Sequence, residues 1–284
     1  MNKWVIGARP RTLPAAVAPV LVASALAGSD FSPLPALLAL FVSLALQVGV
    51  NYANDYSDGI RGTDTDRVGP TRITASGLAT PVSVKRAAFI SFAVAAIAGL
   101  ALSAMTSWWL ILVGALAILA AWGYTGGKNP YGYLGLGELF VFIFFGVVAT
   151  VGTFYVQSER ITFDALLASI PMGTFACALL AINNIRDRAL DAPAGKKTLA
   201  VRLGDRKARY FFATLIALGY IAVIAMRNPW LLLVLLTTPV ALRLVRGVLG
   251  QAQGRELVPF LASTGKLQLQ FSILFAISLV LSHG

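Results

Sequence analysis

Cysteine and histidine are nearly absent from this sequence, with one of each in 284 residues. A single thiol forms no intrachain disulfide, and Cys177 sits inside the apolar run Ile170–Ile182, where it reads as a small core or lipid-facing residue. His283, next to the last residue, reads as part of a tail. Charge is scarce as well: 12% of residues are charged against 57% hydrophobic, and the mean hydropathy is +0.77. Such a chain has too little polar surface to be an ordinary water-soluble domain. Acidic residues are the scarcer sign, 12 against 23 basic ones, for a net charge of +11. The basic excess does not imply a nucleic-acid partner, because it falls in short connectors between apolar blocks and forms no soluble face.

What is present instead is a series of apolar blocks, each about 17–24 residues long, enough for a helix to cross about 30 Å of hydrocarbon. Nine spans are expected, over Leu13–Ala27, Pro33–Ala53, Arg86–Met105, Ser107–Tyr124, Leu136–Val156, Ala165–Asn184, Arg209–Met226, Pro229–Leu249 and Phe260–Leu281. Ser32-Pro33, Asn129-Pro130 and Asn228-Pro229 punctuate three of the breaks. Lys3, Arg9 and Arg11 precede the first block in the manner of a leader. Arg9-Pro10-Arg11-Thr12 reads as a helix start with no convincing cleavage context after it, so a retained span is expected.

The fold class is therefore an all-α polytopic membrane bundle, one domain over residues 1–284, embedded in the lipid bilayer. The N-terminal segment and the connectors after spans two, four, six and eight carry about twenty of the 23 Lys and Arg, which puts the N-terminus and these connectors in the cytoplasm and the C-terminus outside. Lys266, early in the last span, is left over for snorkelling or a cavity wall. A weak internal repeat relates about residues 11–124 to 136–249, with a ninth helix added.

Six of the twelve acidic residues concentrate in two cytoplasmic loops: Asp55, Asp58, Asp64 and Asp66 after the second span, Asp187 and Asp191 after the sixth. Asp55 and Asp58 are three apart and Asp187 and Asp191 four apart, so on helical ends each pair projects from one face. Converging carboxylates repel one another, and divalent cations relieve the repulsion. Magnesium suits such a set, since it takes oxygen ligands and is usually held by one or two carboxylates together with substrate phosphates. Arg72, Lys128 and Lys197 supply nearby positive charge for a diphosphate. The plainer alternative, acids that only solvate a loop, explains neither the pairing nor the repetition. A lipophilic tail would then run between helices, and Phe140, Phe142, Phe144, Phe145 and Phe154 of the fifth span are positioned to line its path, although phenylalanines in membrane helices more often pack or face lipid.

These residues resemble the motifs of the UbiA superfamily of intramembrane prenyltransferases: Asn54-Asp55-x-x-Asp58 for the first, Asp187-x-x-x-Asp191 for the second, followed by Gly195-Lys196-Lys197-Thr198. The resemblance runs over essentially the whole chain. Within it, Ala8-Arg9-Pro10-Arg11-Thr12, the stretch Tyr124 to Glu138 and the doublet Asn183-Asn184 are most similar to the branch that prenylates 1,4-dihydroxy-2-naphthoate for menaquinone synthesis. The resemblance implies an enzyme of the cytoplasmic (inner) membrane, its active site toward the cytoplasm, that transfers a polyprenyl group from polyprenyl diphosphate to that acceptor with loss of carbon dioxide. It implies two magnesium ions on Asp55, Asp58, Asp64, Asp187 and Asp191, and catalytic roles for Asp58, Asp187 and Lys128. Asn54, Arg72, Lys128, Lys197 and Arg9 are expected on the diphosphate, and Asn129, Tyr131, Glu138 and Asn184 on the acceptor. One departure stands out: where the superfamily commonly has a third aspartate, this chain has Gly62, and Asp64 or Asp66 is left to replace it. Two other readings remain open, a different aromatic acceptor on the same fold, or an ion-coupled secondary transporter, which also uses repeats and membrane carboxylates.

Overall fold

The computed structural model describes residues 2–62, 69 and 71–283. Among the described residues, ten helices account for the architecture: a short α1 (Lys3–Ala8), α2 (Pro14–Leu26), α3 (Pro33–Arg61), α4 (Pro81–Met105), α5 (Leu110–Gly123), α6 (Gly137–Ser158), α7 (Phe163–Asp191), α8 (Leu199–Ala225), α9 (Pro229–Leu249) and α10 (Gly254–Ser282). Seven of them, α3, α4 and α6 to α10, are 21 to 29 residues long and apolar enough to cross a membrane. The expected first and fourth spans are the shorter apolar helices α2 and α5, of 13 and 14 residues. The expected breaks at Ser32-Pro33 and Asn228-Pro229 start α3 and α9, with proline in the first turn, where its missing N–H is not needed.

Large apolar side chains such as Phe41, Ile97, Leu112, Leu119, Leu236 and Val280 are exposed on the outer faces, as expected where the neighbour is lipid and not water. The centre is α7, the most buried of the long helices. Its sequence explains the position. Ala165, Ala168, Ser169, Gly173, Ala176, Ala178 and Ala181 are small enough to let neighbouring helices approach on several sides. At the α6 crossing, a Cβ on Gly146 would lie 2.7 Å from the Gly173 Cα, so neither glycine tolerates a side chain without a shift. In α6, Phe142–Val148 winds as a π-helical segment, a widening that re-aims the following side chains.

The acidic clusters correct one expectation. Asn54, Asp55 and Asp58 belong to the last turns of α3, and Asp187 and Asp191 to those of α7, so these residues stand on helix ends and not in loops. Both helices are 29 residues long and run on past their apolar parts. Asp64 and Asp66 lie outside the described residues. The most extensive helix pairings are α3 with α4 and α7 with α8. The chain ends lie at opposite ends of the bundle: Arg9 reaches the Asn51 carbonyl in the lower half of α3, whereas His283 packs against Gly28 in the turn between α2 and α3.

Candidate active site

A cavity of about 350 Å³ opens between α3, α4, α5, α6 and α7 and joins a charged end to an apolar interior. One face of α3 presents Gln47, Asn51, Asn54 and Asp58 to it, at helical spacings of four, three and four. Asp55 flanks that face, about 70° round the helix from its centre. Expected among the metal ligands, it is fully buried, its two oxygens accept the backbone N–H groups of Ile73 (3.0 Å) and Thr74 (2.8 Å), and it does not line the cavity. Its work is to hold the returning 71–75 segment against α3. Gly59 makes room for that segment, since a Cβ there would stand 2.5 Å from Thr74. The consequence is that Arg72 arrives over Asp58, with Nη2 3.6 Å from Oδ2.

From the other half, α7 brings Asn183, Asn184, Asp187 and Asp191 to the same cavity. Asp187 receives both Nε and Nη2 of buried Arg186 at 2.7 Å. Past the helix end the chain turns through Gly195 at φ +77°, and the Lys196 N–H bonds the Asp191 carbonyl at 3.0 Å. This return puts Lys196, only 8% exposed, between the two halves, its Nζ 3.3 Å from Asp58 and 3.9 Å from Asp191. Lys197, the residue expected on the diphosphate, donates its backbone N–H to Tyr133 (2.8 Å) and has its side chain exposed. Of the two adjacent lysines, Lys196 is the one that faces inward.

The segment between α5 and α6 roofs this end. Thr125 donates to Asn54 Oδ1 at 2.7 Å, and Arg61 donates to the carbonyls of Thr125 and Gly127. Tyr133 donates to Asp58 Oδ1 at 2.5 Å, and the Lys196 ammonium lies 4.8 Å from its ring centre. Lys128 and Asn129, expected on the substrates, are exposed and do not line the cavity. Gly127, at φ +76°, turns the chain so that its carbonyls face Arg61, leaving the following side chains outside. Tyr131 does line the cavity. It stacks on Phe140 at 4.0 Å and donates to the Ala120 carbonyl at 2.8 Å. Burial pushes the Tyr131 phenol above its ordinary pKa and does the same, with help from the Glu138 carboxylate, to Tyr124, so both remain protonated at neutral pH.

Deeper, Arg9 takes a left-handed conformation (φ 50°) at the end of α1 and donates to the Asn51 carbonyl at 3.3 Å. Asn51 donates to Thr12 Oγ1 (3.0 Å) and the Ala8 carbonyl (2.9 Å), and Gln47 donates to Thr12 Oγ1 (3.0 Å). Arg9 thus belongs to the cavity, as expected, beside Asn51, about two helical turns along α3 from Asp58. Beyond lie Leu46, Leu102, Val113, Phe140, Phe144, Phe145 and Val148, an interior without charge. Asn184 and Glu138 bond each other at 2.9 Å, but only Asn184 faces the cavity.

Of the residues expected at the site from the sequence, Asn54, Asp58, Arg72, Asp187, Asp191, Arg9, Tyr131 and Asn184 line one cavity. Sequence reasoning passed over Lys196, Tyr133, Thr125, Asn51 and Gln47. The spacing Gln47, Asn51, Asn54, Asp58 was a readable signal for the last two, whereas nothing local distinguished Lys196 from Lys197.

A helical membrane bundle in which one cavity couples a charged mouth to an apolar interior defines an integral-membrane enzyme for amphiphilic substrates. Residues 16–256 match the UbiA prenyltransferase family, and the chain belongs to that family. It is 49% identical to the 1,4-dihydroxy-2-naphthoate octaprenyltransferase of Mycobacterium tuberculosis, over 96% of this chain and 95% of that one. The enzyme of the same name from Escherichia coli is 37% identical over 99% of this chain and 96% of its own. Among solved structures, a UbiA homolog from Archaeoglobus fulgidus bound to GPP and Mg2+ superposes with a TM-score of 0.64 at 15% identity, covering 98% of this chain and 99% of that one. An apo UbiA homolog from Aeropyrum pernix reaches 0.66 at 17% identity, over 95% and 97%.

Proposed function

We propose that this protein transfers a polyprenyl chain from polyprenyl diphosphate to 1,4-dihydroxy-2-naphthoate, releasing diphosphate and carbon dioxide and leaving demethylmenaquinol. The observation that carries the reading is the single cavity in which Lys196 ties the ends of α3 and α7 at a charged mouth while phenylalanines and small apolar residues continue inward. The near-full-length relatives named for this reaction support the choice of acceptor.

The residues present suit magnesium. Among the described residues no three acids cluster tightly enough to form a closed all-protein site. Asp58, Asp187 and Asp191 instead line one cavity beside cations, an open donor set of the kind magnesium uses when substrate phosphates complete its shell. Bound there, magnesium would act as Lewis acid and template, neutralising the departing diphosphate. The expectation of two ions, one for each helix end, stands as part of this proposal.

The protein's own groups do the rest. Arg72 and Lys196 bind diphosphate oxygens at the mouth. Tyr133, donating to Asp58, fixes that carboxylate in one orientation. The allylic C–O bond breaks with its electron pair leaving on the diphosphate, and the aromatic faces of Phe140 and Tyr131 stabilise the cationic carbon. The ring attacks through its carboxylated carbon, and loss of carbon dioxide returns the electron pair that restores aromaticity, so no ring proton has to be removed.

The test is incubation of the purified protein with polyprenyl diphosphate, magnesium and the acceptor labelled in its carboxyl group. Demethylmenaquinol and labelled carbon dioxide should appear one to one, and EDTA should abolish both. Prenylation of a different phenol but not of dihydroxynaphthoate would overturn the acceptor, and full turnover in EDTA would overturn the metal.

A further inference from the structure

Glu138 is the second residue of α6 and only 6% exposed. Among the described residues it forms no ion pair with a lysine or arginine, and the one side-chain partner of its carboxyl group is Asn184, whose Nδ2 donates to Oε1 at 2.9 Å. The other oxygen, Oε2, has no hydrogen-bond partner among the described residues. A leucine would fill such a place without burying an unsatisfied carboxylate oxygen, so packing does not account for the residue. Glu138 is also set back from the cavity, whereas Asn184 lines it, three residues before Asp187 and seven before Asp191 on the same helix.

A carboxamide offers a donor on one side and an acceptor on the other, and alone it has little reason to prefer either orientation. Here Glu138 Oε1 accepts from Asn184 Nδ2. With Nδ2 committed to Glu138, the carbonyl oxygen is the atom Asn184 has left to offer to the cavity it lines. We propose that Glu138 is a positioning residue for the aromatic acceptor: it locks the Asn184 carboxamide so that Oδ1 accepts from a phenolic hydroxyl of the bound ring. This rests on the acceptor being the phenol proposed above. The arrangement orients the ring by its hydroxyl and, by drawing on the hydroxyl proton, raises electron density at the carbon that is to attack.

The experiment compares Glu138→Ala, Glu138→Leu and Glu138→Gln with the wild type in steady-state assays that vary each substrate separately. A glutamine oxygen can still accept from Asn184, so E138Q should keep the acceptor KM within about threefold. E138A and E138L should raise it by about tenfold or more, the order seen when an outer partner that orients a ligand is removed, with the KM for polyprenyl diphosphate unchanged. They should also lose preference for the free phenol over its O-methyl ether, a signature that a merely structural residue would not move. The proposal is overturned if E138Q behaves like E138A, if both substrates' KM values move together, or if the ether discrimination is untouched. Wild type is assayed first. If it prenylates a different phenol, the acceptor reading fails by itself and the same variants judge Glu138 with that phenol.

Discussion

At the scale of single residues, the charged mouth turns on which of two adjacent lysines faces inward. Lys196 is buried between Asp58 and Asp191, and Lys197 is exposed. A cation held in place where charge leaves the substrate is worth about 10²–10³ in rate when lost, far more than a solvated one. Lys196→Ala should therefore lose at least about a hundredfold in kcat. Lys197→Ala and Lys128→Ala should stay within about threefold, since exposed charges off the site contribute little. Steady-state rates on the three variants check this, and a larger loss in Lys197→Ala than in Lys196→Ala would reverse the assignment. Asp55 shows the same dependence on facing: it sits three residues from Asp58 yet serves the backbone of Ile73 and Thr74.

At the scale of elements, the apolar half of the cavity is shaped by absences. Gly99 on α4, Gly114 on α5 and Gly152 on α6 all line it, and a Cβ built on any of them meets no neighbour within 4 Å. A side chain there would enter the lumen without straining the helices, unlike one at Gly146 or Gly173, where helices touch. Gly114→Leu should thus leave a short donor such as geranyl diphosphate nearly unaffected, while reducing kcat/KM for an octaprenyl donor about tenfold or more, the scale of discrimination by a few methylenes in an apolar pocket. Equal effects on both donors would show that the tail runs elsewhere. The shortness of α5, 14 residues, suits a helix that walls a cavity more than it fills a core.

At the scale of the whole molecule, α1, the roof and the ends of α3 and α7 share one end of the bundle, and His283 lies at the other. The basic connectors belong to the first end, and we propose that it faces the cytoplasm. With Cys177 replaced by alanine, Lys207→Cys should react with an impermeant maleimide only from the cytoplasmic side and His283→Cys only from the opposite one. Labelling of both from a single side would mean an even number of crossings between them, and one of α8, α9 or α10 would then fail to span.

The sequence by itself determined whatever follows from composition and period. Long apolar blocks in a chain with so few charges leave only a helical membrane bundle, because backbone polar groups in lipid must bond within their own segment. Asn54, Asp58, Asp187 and Asp191 were legible because helical spacing puts them on common faces and because acids are rare in this chain. Tertiary structure alone decided which half of each pair works at the cavity. Asp55 was claimed by the 71–75 segment packed beside the cavity-facing side of α3, Lys196 was turned inward by the return through Gly195, and Glu138 was set behind Asn184 by the α6–α7 crossing. These facings depend on contacts between residues from 18 to 138 positions apart, and no local pattern encodes a distance of that kind.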